Sequence, residues 1–392
     1  MIKKIIYHFI FILILTFSLK LFVDKVEGLN PVMKAIGDIR FSDLYFSINE
    51  KKSANDIYIV DLGLEDPVNT RRDITEFIMR INSEFKPKVI GVDVYFDKKY
   101  IKDSINRELI NQLSSDNVIR LFKVDEKLRY PDFSFLPGLK IDENLTEGYS
   151  FGLGKPTEHP CVRYYKPTYE IDNIKYNHIS KLIAEKYIAS SNKQINKDIN
   201  FNNKMMINYN INFKNNRINI NDTSRYAELK DKIVLLGINT YKTDGYPMYN
   251  EDIHYTPKNK SYIGRSIKDS YGIEILATIT SNIINNEFLT YKPNFVKWLN
   301  YILSILTYVI LLYLFITLNE SFIFVKIISQ TFGVIILVLI SVSVIKFSNF
   351  YIDLSSAIAA MFISAEIVEI VEELLPKVSL QINKLSKRIN FK

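Results

Sequence analysis

Few residues in this chain have the types and spacing that chemistry needs. His8, His159, His178 and His254 are the only histidines, and no two stand at metal-ligand spacing. His254 follows Asp244 and Asp252, which makes a metal site conceivable, but the pattern is too thin to assign one. Cys161 is the single cysteine, so no intrachain disulfide forms and stability must come from a packed core. Gly148, Gly152 and Gly154 surround Tyr149–Leu153, but a phosphate cradle ends in Lys-Ser or Lys-Thr, and here Pro156 follows Lys155. A turn is the better reading. No nucleophile elbow, nucleotide loop or kinase signature is present, so the expectation is a non-enzyme with no cofactor and no metal.

Two acidic patterns are sharper. Asp61 and Asp93 each close a short β-branched run, and the sequence places them at the carboxyl ends of adjacent parallel strands, where ligands of open α/β sheets gather. Arg71 or Arg72 at the following helix start, and Asp244 beyond a third run, would border the same small-molecule crevice. The competing reading is that these carboxylates accept backbone hydrogen bonds and hold loops, because buried polar groups need partners with or without a ligand. The second pattern is Glu366, Glu369 and Glu373, on one face of a helix end. That face is costly in lipid and should meet either water or a partner protein.

The elements that position these residues are legible in the hydropathy. Ile57–Leu62 is a short buried strand closed by Gly63. A helix follows to Phe85 with Ile74, Phe77, Ile78 and Ile81 on one face, and Val89–Phe96 is a second strand. Strand, helix and strand in so short a span imply a right-handed crossover and a parallel pair. Asn117–Lys123 reads as a strand and Tyr176–Ala189 as a helix. Ile207, Tyr209, Ile211 and Phe213 alternate with Asn208, Asn210 and Asn212, the pattern of a half-buried antiparallel strand. Ile233–Gly237 is another buried strand, a polar loop spans Asn239–Ser270, and Gly272 opens a helix to Ile284. Leu29–Ile39 recurs at helical spacing and fits an amphipathic helix through Arg40. The fold class expected is a mixed, mainly parallel α/β sheet with flanking helices, plus an α-helical membrane bundle. The strands of Asp56–Phe96 and Ile233–Ile284 should share one sheet, since neither has enough strands to bury a face alone.

The bundle is Phe295–Val371. It reads as three apolar runs, Phe295–Thr317, Phe322–Ile345 and Phe350–Val371, each long enough to cross a ~30 Å hydrocarbon core. A mean hydropathy close to zero then requires a large polar portion elsewhere. Ile5–Val23 is a fourth apolar run, broken only by Lys20. It is longer than a signal peptide's apolar region and lacks a small-x-small site, so an uncleaved anchor is favoured. Lys3 and Lys4 before the anchor, Lys326 after the short inner loop, and a tail with five basic residues against Glu372 and Glu373 orient the chain by the positive-inside rule. Residues 1–23 are then the anchor, 24–294 an extracytoplasmic domain, 295–371 the bundle and 372–392 a short basic cytoplasmic tail. Both termini lie in the cytosol of a bacterial inner membrane. The net charge of +7 is spread rather than clustered, so nucleic acid is not an expected partner.

In order along the chain, these residues resemble the second class of CHASE domains, extracytoplasmic sensors attached to bacterial cyclases and histidine kinases. Asp56–Asp61 resembles that family's opening strand ending in aspartate, and Arg71-Arg72 stand where it places a helix-start arginine. Lys88–Val94 resembles its lysine–valine–isoleucine–glycine–aspartate strand, Cys161-Val162-Arg163 its mid-domain strand entering an arginine, and Ile207-Asn208-Tyr209 its asparagine–tyrosine step. Lys232–Gly237 and Gly272–Ala277 resemble its closing strand and helix. One anchor followed by three packed spans is also the family's layout, and the likeness covers about 24–372. Asp66-Pro67-Val68-Asn69 replaces the family's tryptophan-proline step, and the only tryptophan is Trp298. The residues after Val371 are too few for a kinase or cyclase domain. The resemblance therefore implies a sensory input protein relaying to a separate signalling partner. The alternative is a structural or assembly component of a bacterial envelope complex.

Overall fold

The computed structural model describes residues 40–49, 51–63, 67–94, 96, 103–125, 130–132, 147–149, 161–171, 174–191, 204–241, 252–258, 268–318 and 322–368. These divide into two compact units, one from Asp43 to Thr290 and one holding residues 40–42 together with the described residues from Tyr291 onward. In chain order the first elements are α1 (Phe41–Ile48), β1 (Ile57–Asp61), α2 (Pro67–Glu84), β2 (Val89–Val92), α3 (Asp103–Leu113), β3 (Val118–Asp125), β4 (Tyr130–Asp132) and β5 (Glu147–Tyr149). Then come α4 (Ile179–Ser190), β6 (Arg217–Asn219), β7 (Ile233–Gly237), β8 (Ile253–His254), β9 (Ser270–Tyr271) and α5 (Gly272–Asn285). The second unit contains α6 (Pro293–Leu318), α7 (Phe322–Ser348) and α8 (Ser355–Val368).

A seven-stranded sheet runs in the order β6-β1-β7-β2-β3, and β3 then pairs with both β4 and β5. Every pair is parallel except β3–β4, so the expected mixed, mainly parallel α/β sheet is present. Strands from Asp56–Phe96 and from Ile233–Gly237 share that sheet. They are not ordered as expected, however: β7 lies between β1 and β2, so Asp61 and Asp93 do not end adjacent strands. The reason is burial. Ile-Val-Leu-Leu-Gly is buried at every position, and a strand covered on both faces belongs in the middle of a parallel sheet.

Side chains alternate across the sheet. Val60, Ile90, Val92, Val234 and Leu236 pack with Ile74, Phe77, Ile78 and Ile81 of α2 and Leu109 of α3. Ile57, Ile59, Val89, Ile233 and Leu235 pack with Ile179 and Ile183 of α4 and Ile273, Leu276 and Ala277 of α5. The unit is thus a three-layer sandwich, and α5 is buried nearly all round rather than on one face. Burial on both sides of the sheet supplies the stability that a single cysteine cannot.

The alternating stretch Ile207–Phe213 is not a continuous strand. Met205–Met206 pairs antiparallel with Tyr164–Tyr165, and Ile211–Asn212 pairs parallel with Lys52–Ser53, with irregular backbone between. Asn208 is buried, against the pattern's forecast of a polar outer face. Asn282 of α5 reverses the outcome: its side-chain oxygen accepts the Asn208 N–H at 2.7 Å and its amide donates to the Asn208 carbonyl at 3.0 Å.

In the second unit α6 and α7 are long and apolar enough to cross a membrane. The third apolar run is helical from Ser355 rather than Phe350, because Asp353 stops the helix there. Its carboxylate accepts the Ser355 N–H at 3.1 Å. Asn300 of α6 donates to the Asp353 carbonyl at 2.7 Å and accepts the Ala357 N–H at 2.9 Å, tying α6 to the start of α8. The apolar run Ile5–Val23, the stretch Leu29–Ile39, Asp244, Glu369, Glu373 and the basic tail lie outside the described residues.

Candidate functional site: an acidic row beneath a helix start

Strand register builds the site. Gly237 stands opposite Asp61, and Leu236 stands opposite Val92, so Asp61, Gly237 and Asp93 form one row at the carboxyl ends of β1, β7 and β2. Two interstrand spacings put the aspartate backbones about 10 Å apart. All three fall on the face covered by α5. A Cβ on Gly237 would lie 2.5 Å from Ile273 Cδ1, so the absence of a side chain there lets α5 descend between the two acids. Gly272 serves the same end, since a Cβ on it would meet the Asp252 carboxylate.

Asp61 is engaged by loops. Its Oδ1 accepts the N–H groups of Gly63 at 3.1 Å and Asn239 at 2.8 Å, and its Oδ2 accepts the Thr240 hydroxyl at 2.6 Å. The loop-holding reading therefore describes much of what this carboxylate does. Beside it Asn239 is 3% exposed, and neither polar atom of its amide finds a partner among the described residues. A buried, unsatisfied amide costs about 1–3 kcal/mol, so this one is a strong position for a ligand or an ordered water.

Asp93 differs. Its backbone N–H donates to the Leu236 carbonyl at 2.9 Å. Burial, and then the charge of Asp252, push its carboxyl up to about 8. Asp252 has left-handed backbone (φ 53°), its carbonyl accepts the Gly272 N–H at 3.0 Å, and His254 Nε2 lies 3.0 Å from its Oδ1. The ribbon β8–β9 carries Asp252 and His254 up to the first turn of α5. The sequence set His254 near Asp252 and Asp244 only as a conceivable metal site; the structure gives a His254–Asp252 contact instead. Nothing in the sequence signalled that Asp93, far away in the chain, comes within reach of the charge of Asp252.

The first turn of α5 also holds Glu274, a fully buried carboxylate. Lys258 Nζ and the Tyr241 hydroxyl donate to its Oε2 at 2.7 and 2.8 Å, and Arg217 Nη2 donates to Oε1. Burial opposes the charge, but Lys258, Arg217 and these hydrogen bonds outweigh it and hold the group below its usual range. Arg217 stacks over the Tyr241 ring at 4.3 Å. Asp269 lies next to this cluster. It accepts the Thr256 N–H and hydroxyl, both at 2.8 Å, and burial pushes it up to about 6 against the pull of Lys258. Sequence reading missed Glu274. The available signal was a carboxylate inside the apolar run Ile273–Ala277, which only a buried counter-charge explains.

The remaining expected site residues do not join the row. Arg71 is buried and donates to Asn106 Oδ1 of α3 at 2.7 Å, with its guanidinium 5.8 Å from the Phe96 ring centre, among the α2 and α3 side chains. Arg72 is exposed. Glu366 in the second unit pairs with Lys326 Nζ of α7 at 3.0 Å and is 61% exposed at its side chain. Among the described residues no group of three or more His, Cys, Asp and Glu side chains could hold a metal ion. The site as built can bind protons and donate or accept hydrogen bonds.

No curated protein and no solved structure matches this chain. A family model described as the CHASE2 domain matches residues 11–317 of the 392, taking in the whole sheet, the acidic row and α6. The order of strands and helices that carried the resemblance, and this match over most of the chain, place it: the chain belongs to the CHASE2 domain family.

Proposed function

We propose that this chain is a membrane-anchored extracytoplasmic sensory protein that reads a signal at the Asp61–Gly237–Asp93 row and relays it to a separate partner. CHASE2 is an extracytoplasmic sensory domain family, which supports a sensor rather than a catalyst. The observation that carries the reading is the placement of α5. Its start sits on the acidic row through Gly237 and Gly272, and only residues 286–292 separate its end from α6. A change at the row moves the start of a rigid helix, and a short connection passes that motion to an apolar helix. The ligand residues proposed are Asp61, Asp93 and Asn239, with Asp244 kept as a further candidate; Arg72 is exposed on α2, and Arg71 is held inside by Asn106. The α6 and α7 helices leave Trp298, Tyr301, Ile305, Phe324, Phe332 and Ile336 exposed, surface that a bilayer accepts and water does not. Both termini are proposed to lie in the cytosol. Glu366, Glu369 and Glu373 are proposed as a partner-binding acidic set, with Lys326 holding Glu366 in position.

The test uses a built-in perturbation. Gly237→Ala puts a methyl against Ile273, so in lipid nanodiscs it should change deuterium uptake at the start of α6 as well as at α5. Uptake altered only in residues 43–290, with α6 unchanged, would overturn the relay.

A further inference from the structure

Three lysines mark the end of the second unit where α6 begins. Lys292 precedes α6, Lys297 lies near its start, and Lys346 lies in the last turn of α7. All three are exposed, and among the described residues none has an ion-pair or hydrogen-bond partner for its ammonium group. Contacts put them at one end of the bundle. Val296 packs in one cluster with Val344, the Phe295 and Phe350 rings are 5.9 Å apart, and the Asn300 amide donates to the Asp353 carbonyl at 2.7 Å. Helix length agrees. At 1.5 Å per residue Lys297 lies roughly 32 Å from the far end of α6, and Lys346 roughly 36 Å from the start of α7. Both lengths exceed a ~30 Å hydrocarbon core, so with the adjoining ends of α6 and α7 at one interface, both lysines reach the other. Aromatic rings sit among them. Lys297 Nζ is 5.9 Å from the Tyr301 ring centre, Trp298 meets Tyr301 edge-on at 6.1 Å, and Lys346 Nζ is 5.9 Å from the Phe347 ring centre. Trp298 is 67% exposed and Phe347 82%. The carboxylate described at this level is Asp353, and it is occupied by the Ser355 N–H and hydroxyl at 3.1 and 2.6 Å and the Tyr351 hydroxyl at 3.3 Å.

We propose that Lys292, Lys297 and Lys346 form a cationic collar that gathers anionic phospholipid headgroups around this end of the bundle. The collar rests on the membrane reading above, since it needs α6 and α7 to cross a bilayer. Tyr and Trp settle at headgroup depth, where one end of each is apolar and the other wet, and the lysines beside them share that depth. A lysine stem lies along apolar surface while its ammonium reaches the phosphates. Charge then decides which headgroups collect. A zwitterionic headgroup offsets its phosphate with its own cation, whereas an anionic one presents a net charge. Three ammonium groups against one occupied carboxylate leave the collar positive, and no ion pair has to break before they can be used. Free phosphate is the poorer occupant, because it brings no acyl chains to cover the exposed Trp298, Ile302 and Phe347. Each lysine near an anionic surface shifts the local preference by a factor of about five, so at low salt the net excess should enrich anionic lipid by roughly tenfold or more.

The test is lipid selection by the full chain in nanodiscs of equimolar phosphatidylcholine and phosphatidylglycerol, a mixture that offers both leaflets the same choice. The lipids that stay with the protein after release from the disc are identified by native mass spectrometry. Phosphatidylglycerol should outnumber phosphatidylcholine among them by roughly tenfold, and the excess should shrink when reconstitution is done in high salt. Lys292→Gln/Lys297→Gln/Lys346→Gln should bring the two lipids to parity. Lys175→Gln/Lys214→Gln/Lys230→Gln removes the same charge from exposed positions in the other unit and should leave the excess in place. Parity in the wild-type chain overturns the collar without any variant, and a wild-type excess in the collar variant overturns it equally. A chain that does not enter the disc refutes the membrane reading and the collar with it, whereas parity in an inserted chain refutes the collar alone.

Discussion

Arg163 and Asp43 offer the severest test of how this domain is held. Their side chains are 2% and 1% exposed, and Arg163 donates from Nε to Asp43 Oδ1 at 3.0 Å and from Nη2 to Oδ2 at 2.6 Å. This two-pronged pair joins α1 to the segment that continues through Tyr165, 120 residues further along the chain. Both ions have left water, so the fork geometry must repay a large desolvation cost. Asp43→Asn keeps the shape and removes the charge from beside the buried guanidinium, and should cost about 3–5 kcal/mol. Arg163→Met should cost a similar amount by removing the two-pronged counter-charge of the buried carboxylate. For a unit of this size each kcal/mol lowers the melting temperature by about 2–4 °C, so each single variant should melt roughly 6–20 °C lower. The double variant Asp43→Leu/Arg163→Met should recover much of that loss, because well-packed apolar groups of similar volume avoid the desolvation penalty altogether. Thermal unfolding of the detergent-solubilised chain, followed by circular dichroism, gives all four values. The reasoning fails if either single variant stays within about 1 kcal/mol of wild type, or if the double variant loses the full sum of the singles.

Other consequences are equally open to measurement. His178 caps α4, accepting the Ser180 N–H on Nδ1 at 3.1 Å, and burial lowers its pKa from 6.5 to about 3. The unfolded chain therefore binds the extra proton, and this contribution to stability, complete above about pH 6.5, is lost as pH falls towards 3. His178→Asn, which keeps a capping acceptor, should remove that acid sensitivity, and an unchanged acid limb in a pH–stability profile would count against it. Gly237→Ala should destabilise by about 1–3 kcal/mol through overpacking against Ile273, measured by denaturant midpoint; a neutral result would mean that α5 is not seated on the row. Asn300→Leu removes the hydrogen bonds to Asp353 and Ala357 and should loosen the start of α8, seen as faster exchange at residues 355–358 with little change in α7. A reporter fused after Lys392 should be active only on the cytosolic side, and activity on the outer face would invert the proposed topology.

The sequence by itself determined the parts whose cause is local. Ile57–Asp61, Val89–Val92 and Ile233–Gly237 are strands because short β-branched runs closed by turn residues have no good helical alternative. The first two C-terminal apolar runs are helices, long and apolar enough to cross a membrane, as their unbroken hydropathy indicated. Family membership was legible in the same way, from short motifs kept in a fixed order. Tertiary structure decided what depends on residues far apart in the chain. The insertion of β7 between β1 and β2 is a choice among parallel neighbours, made by burial on both faces, and it turned an expected adjacent pair of aspartates into a row with a glycine at its centre. Asn208 looked like a polar outer-face residue until Asn282 supplied its hydrogen bonds. Glu274 is charged inside an apolar helix because Arg217, Tyr241 and Lys258 arrive from three other stretches. The carboxyl of Asp93 is pushed upward by burial and by the charge of Asp252, and no window of sequence contains both. A charge or an amide inside a protein is settled by whatever surrounds it, and only the folded chain assembles those surroundings.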